Sequence, residues 1–384
     1  MRHDYLNVGG RSWEELAQDS RVIHMGHNCN HLELDPSIHA AMISAIDADE
    51  YRNYTPPYGF EELQELMKAD VGVDDVEVMV TQGATEAIFQ GMSTVLQPGD
   101  QVILADPGWP HIAAFARQLG AEVIEVPIYP RQSEGKLTDA LVLPHITPRT
   151  KLIAIIDPHN PLGTSYTEAE IKSMCALVEQ HDAYLLHDAT YRDFAIDGHY
   201  PAIRYSERAI MNISLSKICG FAGMRVGATL TNPKMLRKIR DRQISRLGGN
   251  WVAQRGAIAA YKTKKSWQPR VLETSRRNQR VLNDCLAKLE GIRVLIYPSS
   301  GNFLSVDVTG TGHSAAEFVS AVLDGGFVIR SGGYTSPRFG DEFVRITTTV
   351  PPSDIDLLCE AMPRIVAGLQ REPIDAQHVE RERL

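Results

Sequence analysis

The 384-residue chain lacks most of the features that mark membrane, secreted or metal-binding proteins. It has no run of about 18 apolar residues, which a membrane-spanning helix needs, so no membrane partner is expected. Its N-terminal stretch has no apolar core of the kind found in secretory leaders, which predicts a cytoplasmic location. The five cysteines are scattered and form no CxxC pair, so neither a disulfide framework nor any metal site is indicated.

Basic charge is also scarce, and this excludes further classes of protein. The 39 lysines and arginines are outnumbered by 48 acidic residues, which gives a net charge of -9. Because nucleic-acid-binding proteins carry an excess of basic charge, no nucleic-acid partner is expected. The only glycine-spaced run, "GFAGMRVG", lacks GxGxxG spacing and follows the sixth apolar run, which argues against a nicotinamide dehydrogenase.

What the sequence does contain is a regular alternation of short apolar runs and helical patterns between residues 76 and 231. Near-continuous apolar runs are typical of parallel strands that are covered by helices on both faces. The pattern therefore predicts an α/β fold with a doubly wound, mostly parallel seven-stranded sheet. The seven runs are "VEVMVTQG", "QVILADP", "AEVIEVPI", "KLIAIIDP", "AYLLHDAT", "IMNISLSK" and "RVGATLTN".

The pattern changes after Trp267. A long helical stretch is predicted to end at Gly291, because glycine is a common helix terminator. The runs "IRVLIYP", "NFLSVDV" and "EFVRITTTV" then read as strands, with two helical patterns between and after them. This predicts a smaller α+β domain.

Polar clusters follow several of the predicted strands, at the edge where an open parallel sheet binds its ligand. One is the turn from strand to helix at Gly83, Ala84 and Thr85. Free backbone N–H groups at a helix start suit a phosphate, although many glycine turns bind nothing. Asn160, before a proline at another strand end, is an equally ordinary turn when taken alone.

Asp188 ends a buried strand, and Tyr191 follows three residues later. A carboxylate at an apolar strand end is costly unless a cation or several donors meet it. Capping of the next helix is the structural alternative.

Lys217 follows Ser214 and Ser216 closely, and Arg225 comes after a glycine-bearing loop. Most lysines are solvated surface charges. A lysine at an apolar strand end is instead activated by desolvation as an amine nucleophile, which Schiff-base chemistry requires. The two serines and the arginine can supply donors to a phosphate dianion.

The motifs that carry these residues occur in the order of one known family. The chain resembles the fold-type I pyridoxal-phosphate enzymes of the aspartate aminotransferase fold, class I/II, from about residue 23 to 369. The resemblance implies pyridoxal 5'-phosphate as cofactor, an amino acid and a 2-oxo acid as substrates, and a homodimer with shared active sites. We expect a large domain at residues 48–270 and a small one at residues 1–47 and 271–384. The motifs are "YTPPYGFEEL", "TQGATEA", "DPGWPH", "DPHNPLG", "HDATY", "SLSKICGFAGMRVG" and "VRITTT".

The resemblance implies a role for each matching residue. Lys217 would form the Schiff base and move a proton, and Asp188 would pair with the pyridine nitrogen. Arg345 would clamp the substrate α-carboxylate through a bidentate pair. The other implied cofactor contacts are the ring oxygen partners Tyr191 and Asn160, the stacking ring of Trp109, the phosphate ligands Gly83, Ala84, Thr85, Ser214, Ser216 and Arg225, and Tyr54 from the neighbouring subunit.

The N-terminal segment "HMGHNCNHLELDP" departs from the family, whose members often have an apolar or glycine-rich run there. His27, Asn28 and His31 place polar groups close to where the family holds the substrate side chain. This favours a polar substrate side chain, and His27, Asn28 and Asn160 are predicted substrate contacts. No second arginine can be assigned opposite Arg345, so the sequence does not support a preference for dicarboxylates.

Transfer of an amino group between an L-amino acid and a 2-oxo acid is therefore the first functional hypothesis. Elimination, replacement or cyclisation of a polar amino acid is the alternative, because the same fold hosts those reactions. A regulatory protein of this fold is disfavoured, since Lys217 is retained and no helix-turn-helix precedes the domain.

Overall fold

The computed structural model describes residues 7–8, 10–131, 133–242 and 247–369. Its strands are β1 (Asn7–Val8), β2 (Arg11–Ser12), β3 (Ile23–His24), β4 (Glu77–Thr81), β5 (Gln101–Asp106), β6 (Glu122–Pro127), β7 (Thr150–Ile156), β8 (Tyr184–Asp188), β9 (Ala209–Ser214), β10 (Gly227–Thr231), β11 (Arg293–Val294), β12 (Phe303–Asp307), β13 (Phe327–Val328), β14 (Arg330–Ser331) and β15 (Phe343–Thr347). Its helices are α1 (Trp13–Gln18), α2 (Pro36–Asp47), α3 (Glu61–Val71), α4 (Ala84–Val95), α5 (Pro110–Gln118), α6 (Asp139–Val142), α7 (Glu168–Gln180), α8 (Pro233–Arg242), α9 (Trp251–Lys262), α10 (Lys264–Leu286), α11 (Ala315–Asp324) and α12 (Pro352–Leu369).

The central sheet has seven strands in the order β4-β10-β9-β8-β7-β5-β6. The neighbours from β9 to β6 pair in parallel, and β10 runs antiparallel to both β4 and β9. Each of the seven apolar runs forms one of these strands. The predicted α/β fold with a mostly parallel seven-stranded sheet is therefore confirmed.

Helices cover both faces of this sheet, and strand β7 shows why its sequence is apolar throughout. Ile153 and Ile155 point into one hydrophobic core, whereas Leu152 and Ala154 point into the core on the other face. Successive side chains of a strand alternate between faces, so a strand buried on both sides needs apolar residues at every position.

A second core lies outside this sheet and joins the two ends of the chain. Leu16 of α1 packs there with Leu304 of β12, Phe318 of α11 and Leu358 of α12. A four-stranded sheet of order β11-β12-β15-β14 lines the core, and β3 pairs in parallel with β13. This is the expected smaller α+β part built from both chain ends. The domain boundaries at residues 48 and 270 stay a prediction, and α10 runs through residue 270.

The prediction that the long helix ends at Gly291 is wrong, because α10 ends at Leu286. Gly291 instead permits a close backbone contact, because it has a φ of 80° and approaches the backbone of Gly310. A Cβ atom at position 291 would lie 2.4 Å from the Gly310 carbonyl carbon. The following run "IRVLIYP" forms only the two-residue strand β11. None of the described helices combines the length and apolarity that spanning a membrane requires.

Candidate active site

A cavity of about 430 Å³ opens at the carboxyl ends of the central strands. Its size is within the range of small-molecule sites, which are about 300 to 1,000 Å³. Most of the predicted site residues line it together, although they come from distant parts of the sequence. These residues are His27, Ala84, Thr85, Trp109, Asn160, Asp188, Tyr191, Ser214, Ser216, Lys217, Arg225 and Arg345.

One end of the cavity is formed by the start of helix α4, where Ala84 and Thr85 follow the N-cap residue Gly83. Backbone N–H groups of a first helical turn have no intrahelical acceptor and attract anions. Gly83 has a φ of 84°, and a Cβ atom there would come within 2.3 Å of a guanidinium nitrogen of Arg225. Only glycine therefore lets the arginine lie against this helix start.

Arg225 completes this end of the cavity from a left-handed backbone conformation, with a φ of 56°. Its guanidinium donates to the carbonyl oxygens of Ala222, at 2.8 Å, and Gln82, at 3.1 Å. Ser214 and Ser216 line the same cavity, and the Ser216 N–H donates to Ser214 Oγ at 3.1 Å. The result is an oxyanion-binding end made of a cation, hydroxyls and helix N–H groups.

Asp188 is buried at the end of β8 and lines the cavity. Burial raises its pKa above the ordinary value, and hydrogen bonds from Thr190 oppose that effect. Both Thr190 donors, the N–H at 3.1 Å and the hydroxyl at 2.6 Å, reach Oδ1. Oδ2 is therefore the oxygen that is available to a cationic group in the cavity.

Lys217 is the only lysine among the described residues that lines the cavity. Its Nζ donates to the backbone carbonyl oxygen of His27 at 2.9 Å and lies 5.9 Å from the centre of the Tyr191 ring. The amine is therefore held by a single backbone acceptor in the N-terminal segment, beside the predicted ring oxygen partner Tyr191.

Arg345 is buried on β15 and donates to Asn160 Oδ1, and to the carbonyl oxygen of Gly26 at 3.0 Å. Burial lowers the pKa of this guanidinium from its ordinary value. Its Nε has no hydrogen-bond partner among the described residues. A carboxylate bound in the cavity would offset the desolvation of this charge.

Besides Gly83, two predicted contacts are not part of the cavity lining, namely Asn28 and Tyr54. Asn28 is buried behind Tyr191 and donates from Nδ2 to the Tyr191 hydroxyl at 3.1 Å. Tyr54 is 77% exposed on the surface of this protomer. An exposed Tyr54 is compatible with a contact to a neighbouring subunit, and the roles of both residues stay predictions.

Seven residues that line the cavity were not predicted from the sequence, and three of them, Trp13, Arg330 and Tyr334, form one cluster. The guanidinium carbon of Arg330 lies 4.1 Å from the centre of the Tyr334 ring and 4.8 Å from that of Trp13. Trp13 also lies against His27, with ring centres 3.9 Å apart. An arginine inside the apolar run "FVIRSGG" was the signal that could have revealed this second cation.

His27 faces the open cavity, and the surrounding protein lowers its pKa below the ordinary histidine value. Burial is the largest cause, followed by the positive charges of Arg330, Lys217 and Arg345. The imidazole is therefore neutral near pH 7 and a weaker base than an ordinary histidine.

Comparison with known proteins agrees with this geometry. The model of the family "Aminotransferase class I and II" matches residues 20–362. An aspartate aminotransferase of Pyrococcus horikoshii is 27% identical over 373 residues, covering 94% of each chain. An arginine–pyruvate transaminase of Pseudomonas aeruginosa is 32% identical over 258 residues, covering 66% of this chain and 65% of the relative. A crystal structure of an aminotransferase from Mycobacterium tuberculosis has the same fold, with a TM-score of 0.83, 22% identity, and coverage of 92% of this chain and 94% of that one.

The chain belongs to the class I and II aminotransferases, because the family model covers most of its length. It is a pyridoxal-phosphate-dependent aminotransferase, as the members of this family are. The cavity fits the cofactor. The start of helix α4, with the Arg225 guanidinium lying against Gly83, can take a phosphate, and the buried carboxylate of Asp188 suits a protonated pyridine nitrogen.

Proposed function

We propose that this enzyme moves the amino group of an L-amino acid with a polar, anionic side chain to a 2-oxo acid, with Lys217 as its Schiff-base lysine. The observation that carries the proposal is the convergence of Lys217, Asp188 and three arginines on one cavity. Bound pyridoxal phosphate would supply an electron-withdrawing ring that weakens the bonds at the substrate Cα.

Several residues of the chain would hold the cofactor. The phosphate would lie between the α4 helix start and Arg225, and Asp188 Oδ2 would keep the pyridine nitrogen protonated. Tyr191 and Asn160 would donate to the ring oxygen, and Trp109 would stack on the ring, which is worth about 0.5 to 1.5 kcal/mol beyond burial. Together these residues would hold the ring from several sides, and Lys217 lines the same cavity.

Lys217 would act twice, first as the attachment point and then as the base. Once the amine is released, the His27 carbonyl oxygen, 2.9 Å from Nζ, can keep it close to the substrate Cα. Nζ would then take a proton from one carbon and return it to another. General acid–base catalysis of this kind contributes about 10² to 10⁴ in rate.

The charge of the cavity supports an anionic substrate side chain. Arg225 would face the phosphate and Arg345 the α-carboxylate, and Arg330 adds a third positive charge to the cavity lining, which favours a further anionic group on the substrate. Asp188 is the only acidic residue of the described chain that lines the cavity. The names of the relatives do not indicate which side chain the substrate carries, because one relative is named for aspartate and the other for arginine. Arg330 is the residue that favours the anionic choice.

A homodimer is part of the same proposal. Tyr54, which is predicted to reach the partner's phosphate site, lies near an exposed apolar stretch that includes Ile43, Ile46 and Tyr51. These residues are 42% to 53% exposed, and such apolar surface favours association with another chain. The cytoplasmic location stays a prediction.

Borohydride reduction followed by peptide mapping tests the assignment of the lysine. We expect the cofactor mass on the peptide that contains Lys217, and none on that peptide in Lys217→Ala. This variant should still bind the cofactor and should lose turnover by about three orders of magnitude or more. A label on another lysine, or near-normal activity of Lys217→Ala, would contradict the proposal.

A second experiment separates transamination from the alternative reactions. The enzyme is mixed with an amino acid in the absence of a 2-oxo acid. Transamination should stop after one equivalent of product and leave pyridoxamine phosphate. Elimination or cyclisation would instead continue without an acceptor, and would identify the neutral His27 as a candidate additional base.

A further inference from the structure

Behind the active site, three buried side chains from separate segments point their polar atoms at one another. Asp157 is the first residue after β7, His187 lies in β8, and His199 lies in the segment that follows. Asp157 Oδ2 is 3.5 Å from Nε2 of His187 and 3.5 Å from Nε2 of His199. The two imidazole rings stack with centres 5.0 Å apart. These contacts are longer than ordinary hydrogen bonds, and none of the three atoms has another polar partner within the described part of the chain.

A main-chain hydrogen bond determines which ring nitrogen of His187 carries the proton. The N–H of Ala202 donates to His187 Nδ1 at 3.2 Å, so Nδ1 carries a lone pair and no proton. A neutral imidazole has one protonated nitrogen, which must here be Nε2. His187 is thus a neutral donor whose N–H faces the Asp157 carboxylate.

Two histidine nitrogens and a carboxylate oxygen within 4.8 Å of one another could also hold a metal ion. A metal-binding imidazole needs a lone pair at the ligating nitrogen. His187 has its lone pair at Nδ1 and its proton at Nε2, so the cluster is arranged for hydrogen bonding and not for a metal.

The charges of the cluster agree with two neutral donors around one carboxylate. Burial lowers the pKa of His199 to about 3, so its ring is neutral at physiological pH. The charged and titratable groups that face it are Asp157, His187, Arg192 and Asp193. Burial alone would raise the pKa of Asp157, but the hydrogen bond from His187 helps to bring it below the ordinary value.

Asp157 links two predicted cofactor contacts. Its Oδ1 accepts from the Ser165 hydroxyl at 2.8 Å and from the Tyr166 N–H at 3.2 Å, which closes the loop that contains Asn160. Its own N–H donates to the Asp188 carbonyl oxygen at 2.9 Å. The orientation of Asp157 therefore bears on Asn160 and Asp188 together.

We infer that His187 and His199 are positioning residues, which clamp the Asp157 carboxylate with two N–H donors and so set the spacing between Asn160 and Asp188. The effect on the cofactor rests on the proposed function, because those two residues act there on opposite edges of the cofactor ring. The positions of the protons on His187 and His199 depend on this chain alone and not on the cofactor.

The first test reads the protons directly in the full-length enzyme, with and without cofactor. Ring-nitrogen NMR with ¹⁵N-labelled histidine should show the His187 proton on Nε2, and His199 as a neutral Nε2–H form that does not titrate between pH 5 and 8. A titration of His199 near the ordinary histidine pKa, a proton on His187 Nδ1, or stoichiometric zinc by elemental analysis would overturn the inference. This readout does not need the cofactor, so its failure is distinguishable from failure of the proposed function.

The second test uses three replacements of His199 that differ in where they place a donor. A glutamine amide reaches about as far as Nε2, whereas an asparagine amide reaches only as far as Nδ1, and leucine has no donor. We expect His199→Gln to bind pyridoxal phosphate within about threefold of the wild type. His199→Asn and His199→Leu should bind about tenfold more weakly, since one hydrogen bond to a charged group is lost.

Thermal unfolding of each variant provides the control for folding. His199→Asn keeps a polar side chain of similar size, so the comparison with His199→Gln holds even where His199→Leu does not fold. Equal dissociation constants for His199→Gln and His199→Asn would overturn the positioning role.

Discussion

Arg330 and Arg345 lie directly opposite each other across the antiparallel strands β14 and β15. Both are buried, and both line the same cavity. Like charges repel each other, so an anion bound in this cavity would stabilise the two guanidinium groups. The ring planes of Trp13 and Tyr334 hold Arg330 in place within this pair.

Replacing Arg330 by methionine should therefore change substrate preference more than overall activity. We expect kcat/KM for a dianionic amino acid such as aspartate to fall about a hundredfold, as for loss of one buried charge pair. The value for alanine, which has no second anionic group, should stay within about threefold. Arg338→Met is the matched control, because Arg338 is exposed on the same segment. Equal losses for both amino acids would remove Arg330 from side-chain recognition.

Replacing Arg345 even by lysine should weaken binding of the substrate. Its guanidinium can bind a carboxylate with two parallel hydrogen bonds, which an ammonium group cannot reproduce. We expect Arg345→Lys to raise the KM for every amino acid tested about tenfold, and Arg345→Ala to raise it about a hundredfold or more. Steady-state kinetics with several amino donors provides the measurement. An unchanged KM in Arg345→Ala would show that the α-carboxylate is bound elsewhere.

Gly83 can be compared with another glycine of similar backbone conformation. Gly83 has a φ of 84° and Gly99 a φ of 90°, but nothing lies within 4 Å of a Cβ atom built on Gly99. Alanine at either position should cost about 1 kcal/mol of stability through backbone strain. Only Gly83→Ala should also displace Arg225 and weaken pyridoxal phosphate binding by about tenfold or more. Fluorescence titration with the cofactor and urea unfolding measure the two effects, and equal cofactor affinities in the two variants would exclude the close approach to Arg225.

Asp188 should make the cofactor-free protein less stable as the pH rises. Its pKa is raised by burial, so the folded chain binds this proton more tightly than the unfolded chain. The free energy of unfolding then falls as the pH rises from the ordinary aspartate pKa through the raised one. At pH 7 to 8, Asp188→Asn should unfold at a higher temperature than the wild type without cofactor, yet bind the cofactor more weakly. A lower unfolding temperature for this variant would contradict the unfavourable burial of the charge.

Two buried histidines should make the free energy of unfolding fall as the pH decreases in the acidic range. Burial lowers the pKa values of His159 and His199 to about 3, whereas an unfolded histidine titrates near 6.5. The unfolded chain therefore binds more protons between these values, and stability falls as the pH decreases from 6.5 towards 3. Each histidine contributes up to about 1.4 kcal/mol per pH unit. Urea unfolding between pH 5 and 7 should give a smaller slope for His159→Gln, and an unchanged slope for the exposed control His39→Gln.

The cofactor end of the cavity could be predicted because its residues are local to the strands that position them. Asp188 and Lys217 follow apolar runs that could form only buried strands, and the carboxyl ends of parallel strands meet at one edge of a sheet. The pattern of the chain therefore fixes both their location and their proximity.

The substrate end could not be predicted in the same way, because long-range pairing builds it. Arg330 reaches the cavity through the pairing of β14 with β15, and Trp13 through the packing of the N-terminal segment against the C-terminal part. Neither pairing is encoded in a run of consecutive residues. The end of α10 was wrongly predicted at Gly291 for a related reason. The small size of Gly291 permits a close contact with Gly310, which lies elsewhere in the sequence.

The parallel pairing of β3 with β13 also orders the assembly of the enzyme during synthesis. His24 can find its partner Val328 only after more than three hundred further residues have left the ribosome. By then the stretch from Gly83 to Arg225, which carries the residues proposed to bind the phosphate, has long emerged. The pairing that ties the N-terminal segment to the C-terminal part is thus the last of these contacts that the growing chain can form.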